Sequence, residues 1–367
     1  MNEFNGPSPV AGALDAVQAF VREHGRVRVR GGGSKPALSC AVPGEATLDV
    51  AGLAGVLDYD PREYTLTALA GTSIAALQST LRAHGQVLPF DPPFGPRGAT
   101  LGGTVAAGVS GPGRLRYGGI RDCVLGVRFV DGEARSVWGG ARVVKNAAGF
   151  DFPKLMVGAL GRLGVLVELT IKVLPGPEAS ATLRLERASI GEALDTIAEI
   201  LKHAWDLAAL DLVPGADGRT QIDVRLAGRT RALRARCDRL RHLTGSGTIL
   251  EGPDDERAWE SARELRWVPP GAALAYVPVT LAGVAAIEAA LTGSQTPRRY
   301  SSGGQTAWLA WEGEVGVLDA RLVTLGLPGL VLDGPAGRPF LGRHATNAFG
   351  ERVKRALDPG NRFGWWT

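Results

Sequence analysis

The chain has 367 residues, 45% of them hydrophobic and 21% charged, with a net charge of +4. That length exceeds one ordinary domain core and that composition excludes a disordered chain, so two domains are expected. No run near 18 apolar residues occurs, which excludes a helical membrane span. Among the 41 basic residues 35 are Arg and six are Lys, a bias toward anionic ligands in general.

In chain order, residues 10–24 read as a helix ending before Gly25, and "RVRVR" (26–30) as a strand running into Gly31-Gly32-Gly33-Ser34-Lys35. Strands follow at 47–50, 55–59 and 64–70. Ser73 is set to cap a helix that runs to His84, with Gly85 just past its end. A Pro-rich turn at 89–98 leads to "GATLGGTVAAGVSGPGRLRYGG" (98–119), which holds eight glycines in 22 positions and reads as a loop. "CVLGVRFV" and "ARSVW" flank Asp131-Gly132, a hairpin signal. Residues 143–177 hold a short helix and then an apolar strand at 164–174.

Composition shifts after Pro175-Gly176-Pro177. Strand 181–187, helix 190–204, strands 207–213 and 220–226, helix 229–243 and strand 247–250 form a βαββαβ unit. After a helical piece at 254–265 the order recurs: strand 273–279, helix 281–291, strands 297–301 and 306–311, helix 314–325, strand 329–332. Such a duplication predicts one broad, largely antiparallel sheet with helices on one face. A last helix is expected at 345–357. The basic run at 229–241 has Leu233 and Leu240 on one stripe and no aromatics, which favours a solvated helix face over a nucleic-acid surface.

Glycine-rich loops at 31–35, 71–73 and 98–111, with a weaker one at 158–164, offer several main-chain anion nests in one domain. Together they suit a long anionic ligand such as a dinucleotide. No G-x-G-x-x-G opens a helix after a strand with an acid some 20 residues on, and no Walker A ending is present.

The strand and loop "RGGGSK", the stretch "ATLGGTVAAG" and the strand "LGVLVELTIKV" resemble the vanillyl-alcohol oxidase/PCMH class of FAD proteins. Over longer stretches, "KNAAGFD" and "LDPGNRF" included, the chain is similar to the FAD-binding E subunits of bacterial glycolate oxidases. The resemblance implies an α+β fold: a PCMH-type FAD-binding domain of two α/β subdomains over 1–178, a cap domain with a largely antiparallel sheet covered by helices over 179–343, and a tail, 344–367, returning to the first domain. It implies that Gly31, Gly32, Gly33, Ser34 and Lys35 hold pyrophosphate, although a solvated Lys35 fits the sequence equally. Gly71 and Thr72 would lie near the diphosphate–ribityl junction. Leu101, Gly102, Gly103 and Thr104 would line the isoalloxazine side, continued by Ala107, Gly108, Ser110 and Gly111. Lys145, Asn146, Gly149 and Asp151 match a motif near the cofactor, with a plain helix cap as the other reading of Asp151. Gly164 and Val165 would face adenine.

The departures matter too. Members that tether flavin place His after the first glycines; Ser34 and Lys35 stand there, so FAD is expected to be non-covalent. The G-D-G-N-L-H motif of larger hydroxy-acid dehydrogenases is missing, so no catalytic residue is assigned. His344 is the one histidine placed to serve a site, and a structural role is the simpler reading of it. The resemblance further implies a complex with a larger FAD-containing glycolate oxidase subunit and an iron–sulfur subunit, acting on a small 2-hydroxy acid. A self-sufficient FAD dehydrogenase or oxidase of another hydroxy acid or alcohol, and an assembly protein with a vestigial flavin site, are the alternatives. Within the second domain, Arg298 and Arg299 beside Tyr300 are the stretch to watch for a carboxylate clamp, although neighbours on a strand face opposite ways. Cys40, Cys123 and Cys237 lack metal spacing, and residues 1–9 lack a signal-peptide pattern, so the expected location is cytoplasmic, or peripheral at the inner membrane through the complex.

Overall fold

The structure, a computed structural model, describes residues 9–40, 43–141, 150–335, 339–344 and 348–364. The first part comprises α1 (Pro9–Glu23), β1 (Val27–Arg30), β2 (Ala46–Asp49), β3 (Val56–Asp60), β4 (Thr65–Leu69), α2 (Ile74–Arg82), β5 (Gln86–Val87), α3 (Leu101–Ala107), α4 (Arg114–Tyr117), α5 (Ile120–Cys123), β6 (Val124–Val130), β7 (Ser136–Gly140), α6 (Phe152–Met156), β8 (Val165–Lys172) and β9 (Leu174–Pro175). β1 and β2 pair in parallel, and five strands form an antiparallel sheet in the order β3-β4-β8-β6-β7. β8 is central, which explains its continuous apolar run. Val165 and Val167 meet Val17 and Val21 of α1, while Leu166 and Leu169 join the core shared with α2 and α3. Strands buried on both faces read as unbroken hydrophobic runs. The one acid within it, Glu168, is buried and paired with Arg128 at 2.8 Å.

The caps expected for α2 form. The Ser73 side chain accepts from the Ala76 amide, and Gly85 takes a φ of +64°. The glycine-rich stretch differs from expectation, because its first part is a helix and not a loop. The Thr100 hydroxyl caps α3 by accepting from the Gly103 amide, and Gly108 closes it in the left-handed conformation. Glycine's helix penalty, about 1 kcal/mol each, is offset here by contact. A Cβ on Gly102 would stand 2.7 Å from that of Ala70, the residue just after β4.

The second part comprises β10 (Ala179–Arg187), α7 (Ile190–Leu201), β11 (Leu207–Pro214), β12 (Thr220–Gly228), α8 (Thr230–Thr244), β13 (Thr248–Glu251), α9 (Pro253–Arg263), β14 (Ala273–Pro278), α10 (Leu281–Ala290), β15 (Arg298–Ser301), β16 (Thr306–Trp311), α11 (Val315–Leu325), β17 (Pro328–Asp333), β18 (Phe340–Gly342) and, toward the C-terminus, α12 (Ala348–Leu357). One nine-stranded, wholly antiparallel sheet runs β13-β10-β12-β11-β15-β16-β14-β17-β18. Read outward from the centre, β11-β12-β10-β13 on one side mirrors β15-β16-β14-β17 on the other, as the doubled βαββαβ order requires. The halves meet at the single pair Leu212–Tyr300.

Along β12, Ile222, Val224 and Leu226 point to the helix-covered core, while Asp223 and Arg225 alternate to the other face. There α9 lies across the first half of the sheet, with Asp255 accepting from Ser180, Thr182 and Arg225. Leu233, Cys237 and Leu240 of α8 are buried and Arg231, Arg234 and Arg239 exposed, so the basic run is a solvated helix face.

Candidate functional site

A cleft of about 690 Å³, mouth included, opens in the first part of the chain between the β1 end, α3 and the loop before β8. The β1 strand delivers Gly31, Gly32, Gly33, Ser34 and Lys35 to one wall. α3 presents Gly102, Gly103 and Ala107, and Gly164 lies on the far side. Sequence reasoning had named all nine. The first loop comes very close to the second: a Cβ on Gly32 would lie 1.8 Å from the Gly98 carbonyl oxygen, so only glycine fits. Gly103 is different. Apart from the Thr100 hydroxyl at 3.0 Å, nothing stands within 4 Å of where its Cβ would be, and that side is open to the cleft.

Lys35 is 8% exposed, and its ammonium donates to the Ser34 hydroxyl at 3.2 Å. It lies over the Phe94 ring, 5.3 Å from the centroid. Among the described residues it has no carboxylate partner. Burial, with the Arg97 charge nearby, lowers its pKa to about 8. The solvated reading of Lys35 is therefore corrected. A buried cation without an anion, beside a loop of main-chain amides, lacks its counter-charge, and a pyrophosphate fits that need. The glycine loop, the open side of α3 and this ammonium, gathered on one cleft, together fit a dinucleotide.

The other expected contacts lie away from the cleft wall. Gly71 packs on the chain at 50–53, and the Thr72 hydroxyl bonds to Leu69 and Gly55. Leu101 and Val165 are core residues, and Thr104 bonds back to Thr100. Gly108 is the helix cap. Ser110 accepts from the Ile120 amide, and Gly111 packs against the Asp91 carbonyl. The exposed Asp151 caps α6 through the Lys154 amide, its other reading. Lys145, Asn146 and Gly149 fall outside the described residues. The wall also includes Val29, Leu38, Val50, Thr100, Leu160 and Gly161, which sequence reasoning missed. Apolar side chains in a cleft look like core in sequence; only the S/T-before-helix signal at Thr100 was readable.

In the second part, Arg298 and Arg299 do face opposite ways. Arg298 pairs with Glu288 on the helix side, and Arg299 with the buried Asp211, 2.5 Å away, on the other. Both are neutralised and neither is free to clamp a carboxylate. The imidazole of His344 lies edge-on to Phe340, its Nε2 2.8 Å from the Leu341 carbonyl. Since a carbonyl only accepts, Nε2 is the donor. No cluster of His, Cys, Asp or Glu suited to a metal occurs among the described residues.

Residues 7–140 match the family model of the FAD binding domain. Over 199 residues the chain is 41% identical to glycolate oxidase subunit GlcE of Escherichia coli, covering 54% of this chain and 55% of that one. Over 202 residues it is 33% identical to the D-2-hydroxyglutarate dehydrogenase of Xanthomonas citri pv. viticola, covering 52% and 42% respectively. The chain thus spans about half the length of these curated relatives. An alkyldihydroxyacetonephosphate synthase structure superposes with a TM-score of 0.69 at 15% identity, over 95% of this chain and 74% of that one, a likeness of fold alone.

Proposed function

We propose, from the match of residues 7–140 to the family model of the FAD binding domain, that the chain is the FAD-bearing subunit of a complex that oxidises glycolate or a related small 2-hydroxy acid. The 41% identity to a glycolate oxidase subunit carries this reading. Bound FAD would supply the electron acceptor for the oxidation. The chain's own residues bind and orient it. Main-chain amides of Gly31 to Ser34 and the Lys35 ammonium take the pyrophosphate, Gly102 and Gly103 leave room along the cofactor, and Gly164 meets its other end. Ser34 and Lys35, and not a histidine, directly follow the first glycines, so the link is non-covalent. Gly71, Thr72, Leu101, Thr104, Gly108, Ser110, Gly111 and Val165 then act by shaping the loops and the core behind them.

The division into residues 1–178, 179–343 and a returning tail, 344–367, belongs to this proposal. So do the larger FAD-containing subunit, the iron–sulfur subunit and a cytoplasmic location. No helix among the described residues is long and apolar enough to cross a membrane. Oxidation of a hydroxy acid also needs a cation for the carboxylate and a base within hydrogen-bond reach of the hydroxyl, the base alone worth about 10²–10⁴-fold. Arg298 and Arg299 are neutralised, and the hydroxy-acid dehydrogenase histidine motif is missing, so those groups are assigned to the partner subunit.

The test is anaerobic mixing of the purified FAD-loaded chain with glycolate or D-lactate while flavin absorbance is followed. Slow or no bleaching alone, and rapid bleaching once the larger subunit is added, is the expected result. Bleaching within seconds without a partner overturns the subunit reading.

A further inference from the structure

We propose that the helix-covered side of the nine-stranded sheet carries a docking trough for an amphipathic helix of a partner protein, basic along its flanks. Nothing in this trough depends on whether FAD binds. The doubled βαββαβ order supplies an internal control, because α10 repeats α7 and α11 repeats α8. In the first copy the exposed residues include Glu192, Asp195 and Glu199 on α7 and Arg231, Arg234 and Arg239 on α8. In the second copy no exposed residue of α10 or α11 is charged. Instead Val317 and Val323 of α11 are 45% and 52% exposed.

α10 packs against both α7 and α11, with Val284 and Ile287 buried. Ala282, Ala285, Ala286 and Ala289 form a second apolar stripe at i, i+3, i+4 and i+7, and this one faces solvent. A helix that is apolar on both sides is built to be covered on both. Its methyl side chains let another helix approach to about 8–10 Å between axes. Between α7 and α10 the surface sinks into a groove of about 1420 Å³, mouth included. Ile190, Leu194 and Leu291 line it. Its only charged residues among those described, Glu288 and Arg298, pair with each other at 2.5 Å.

Two further observations describe the occupant. Thr220 lines the groove at 1% exposure, and its hydroxyl has no hydrogen-bond partner. It shares the helix side of β12 with Ile222 and Val224. A buried hydroxyl without a partner is unfavourable until an occupant brings a polar atom to it. The amide of one inserted Gln does so. Above the groove, Glu192, Asp195 and Glu199 recur at i, i+3 and i+7, an acidic row on a chain of net charge +4. Glu199 shares its charge with Lys202, whereas Glu192 and Asp195 have no basic partner among the described residues. Lys or Arg on an incoming helix complements that row, and an anionic lipid surface does not. The fitting occupant thus lays large apolar side chains over the α10 alanines and basic ones beside α7.

Fluorescence anisotropy of the full chain with a labelled helical peptide of about 20 residues tests the trough. The peptide carries Leu and one Gln along one stripe and Lys on both flanks. Saturable binding is expected in the wild type, weakening as salt rises. Ala289→Arg, at an exposed helix position that Arg suits, should weaken it at least about tenfold. Glu192→Lys combined with Asp195→Lys should weaken it about tenfold and favour a peptide carrying Glu in place of Lys. Thr220→Val, which removes the buried hydroxyl, should weaken it about two- to tenfold without lowering the melting temperature. No binding by the wild type, equal binding of a scrambled peptide, or full binding by Ala289→Arg overturns the proposal. So does a wild-type dimer, or binding to phosphatidylglycerol vesicles, that Val323→Asp abolishes, since the face would then belong to a second copy or to a membrane. If Ala289→Arg does not fold, the double lysine variant decides. FAD content should be unchanged in every variant, so failure here and failure of the FAD reading are told apart.

Discussion

The Lys35 ammonium lies 5.3 Å from the Phe94 ring centroid with no carboxylate beside it among the described residues, so the FAD-free fold holds a charge that burial opposes. Burial lowers its pKa from 10.5 to about 8. At 1.36 kcal/mol per pH unit, keeping it protonated near pH 7 costs the FAD-free fold about 3 kcal/mol. The unfolded chain holds this proton up to pH 10.5 and the folded chain only to about 8, so stability rises with pH between those values. Lys35→Met should therefore be more stable than wild type at pH 7 without FAD, by up to that amount, and should lack that rise. It should also bind FAD more weakly. Urea denaturation of both FAD-free chains from pH 7 to 10.5, with FAD titrations at pH 7, checks this. A Lys35→Met chain that is less stable at pH 7 refutes the buried-charge account.

Two glycine substitutions should separate cofactor space from packing space. Gly103→Asp places a carboxylate on the open side of α3, where the anionic cofactor is proposed, and should abolish FAD binding with the fold retained. Gly132→Asp should instead destabilise the chain by several kcal/mol, because a Cβ there would lie 2.2 Å from Oδ1 of Asp358. Flavin absorbance and thermal melts tell them apart. Full flavin occupancy in Gly103→Asp would remove α3 from the cofactor site.

Arg299 and Asp211 form a buried pair, the aspartate fully enclosed, and Ser301 donates to the same carboxylate. Arg299→Leu strands that carboxylate and should cost about 3–5 kcal/mol. Adding Asp211→Leu should recover most of the loss. Chemical denaturation of the single and double variants measures this. A single variant as stable as wild type would mean that the aspartate finds other support.

Acid or heat should release all of the flavin, since Ser34 and Lys35 stand where tethering members carry histidine. Flavin fluorescence that stays with the denatured protein band in a gel would contradict non-covalent binding.

The sequence by itself determined the elements and their order. Apolar periodicity is a local signal, and it placed the strands of both sheets except the short edge strand β18, the caps at Ser73 and Gly85 and the duplicated βαββαβ run within a few residues. It also determined that the first glycine loop borders a cleft, because Gly31 to Lys35 follow a strand directly. What it could not determine is which side of a residue faces what. The 98–119 glycines look alike in sequence. Yet a Cβ on Gly102 would meet Ala70 and one on Gly111 the Asp91 carbonyl, whereas of these three only Gly103 has its Cβ side open to the cleft. Lys35 is solvated or buried according to where Phe94 lies, 59 positions away. The row Trp308, Tyr276, Leu330 and Phe340 is scattered over 65 residues and comes together on one face of the sheet only through strand register. Register and the approach of one part of the chain to another are long-range contacts, and no local pattern encodes them.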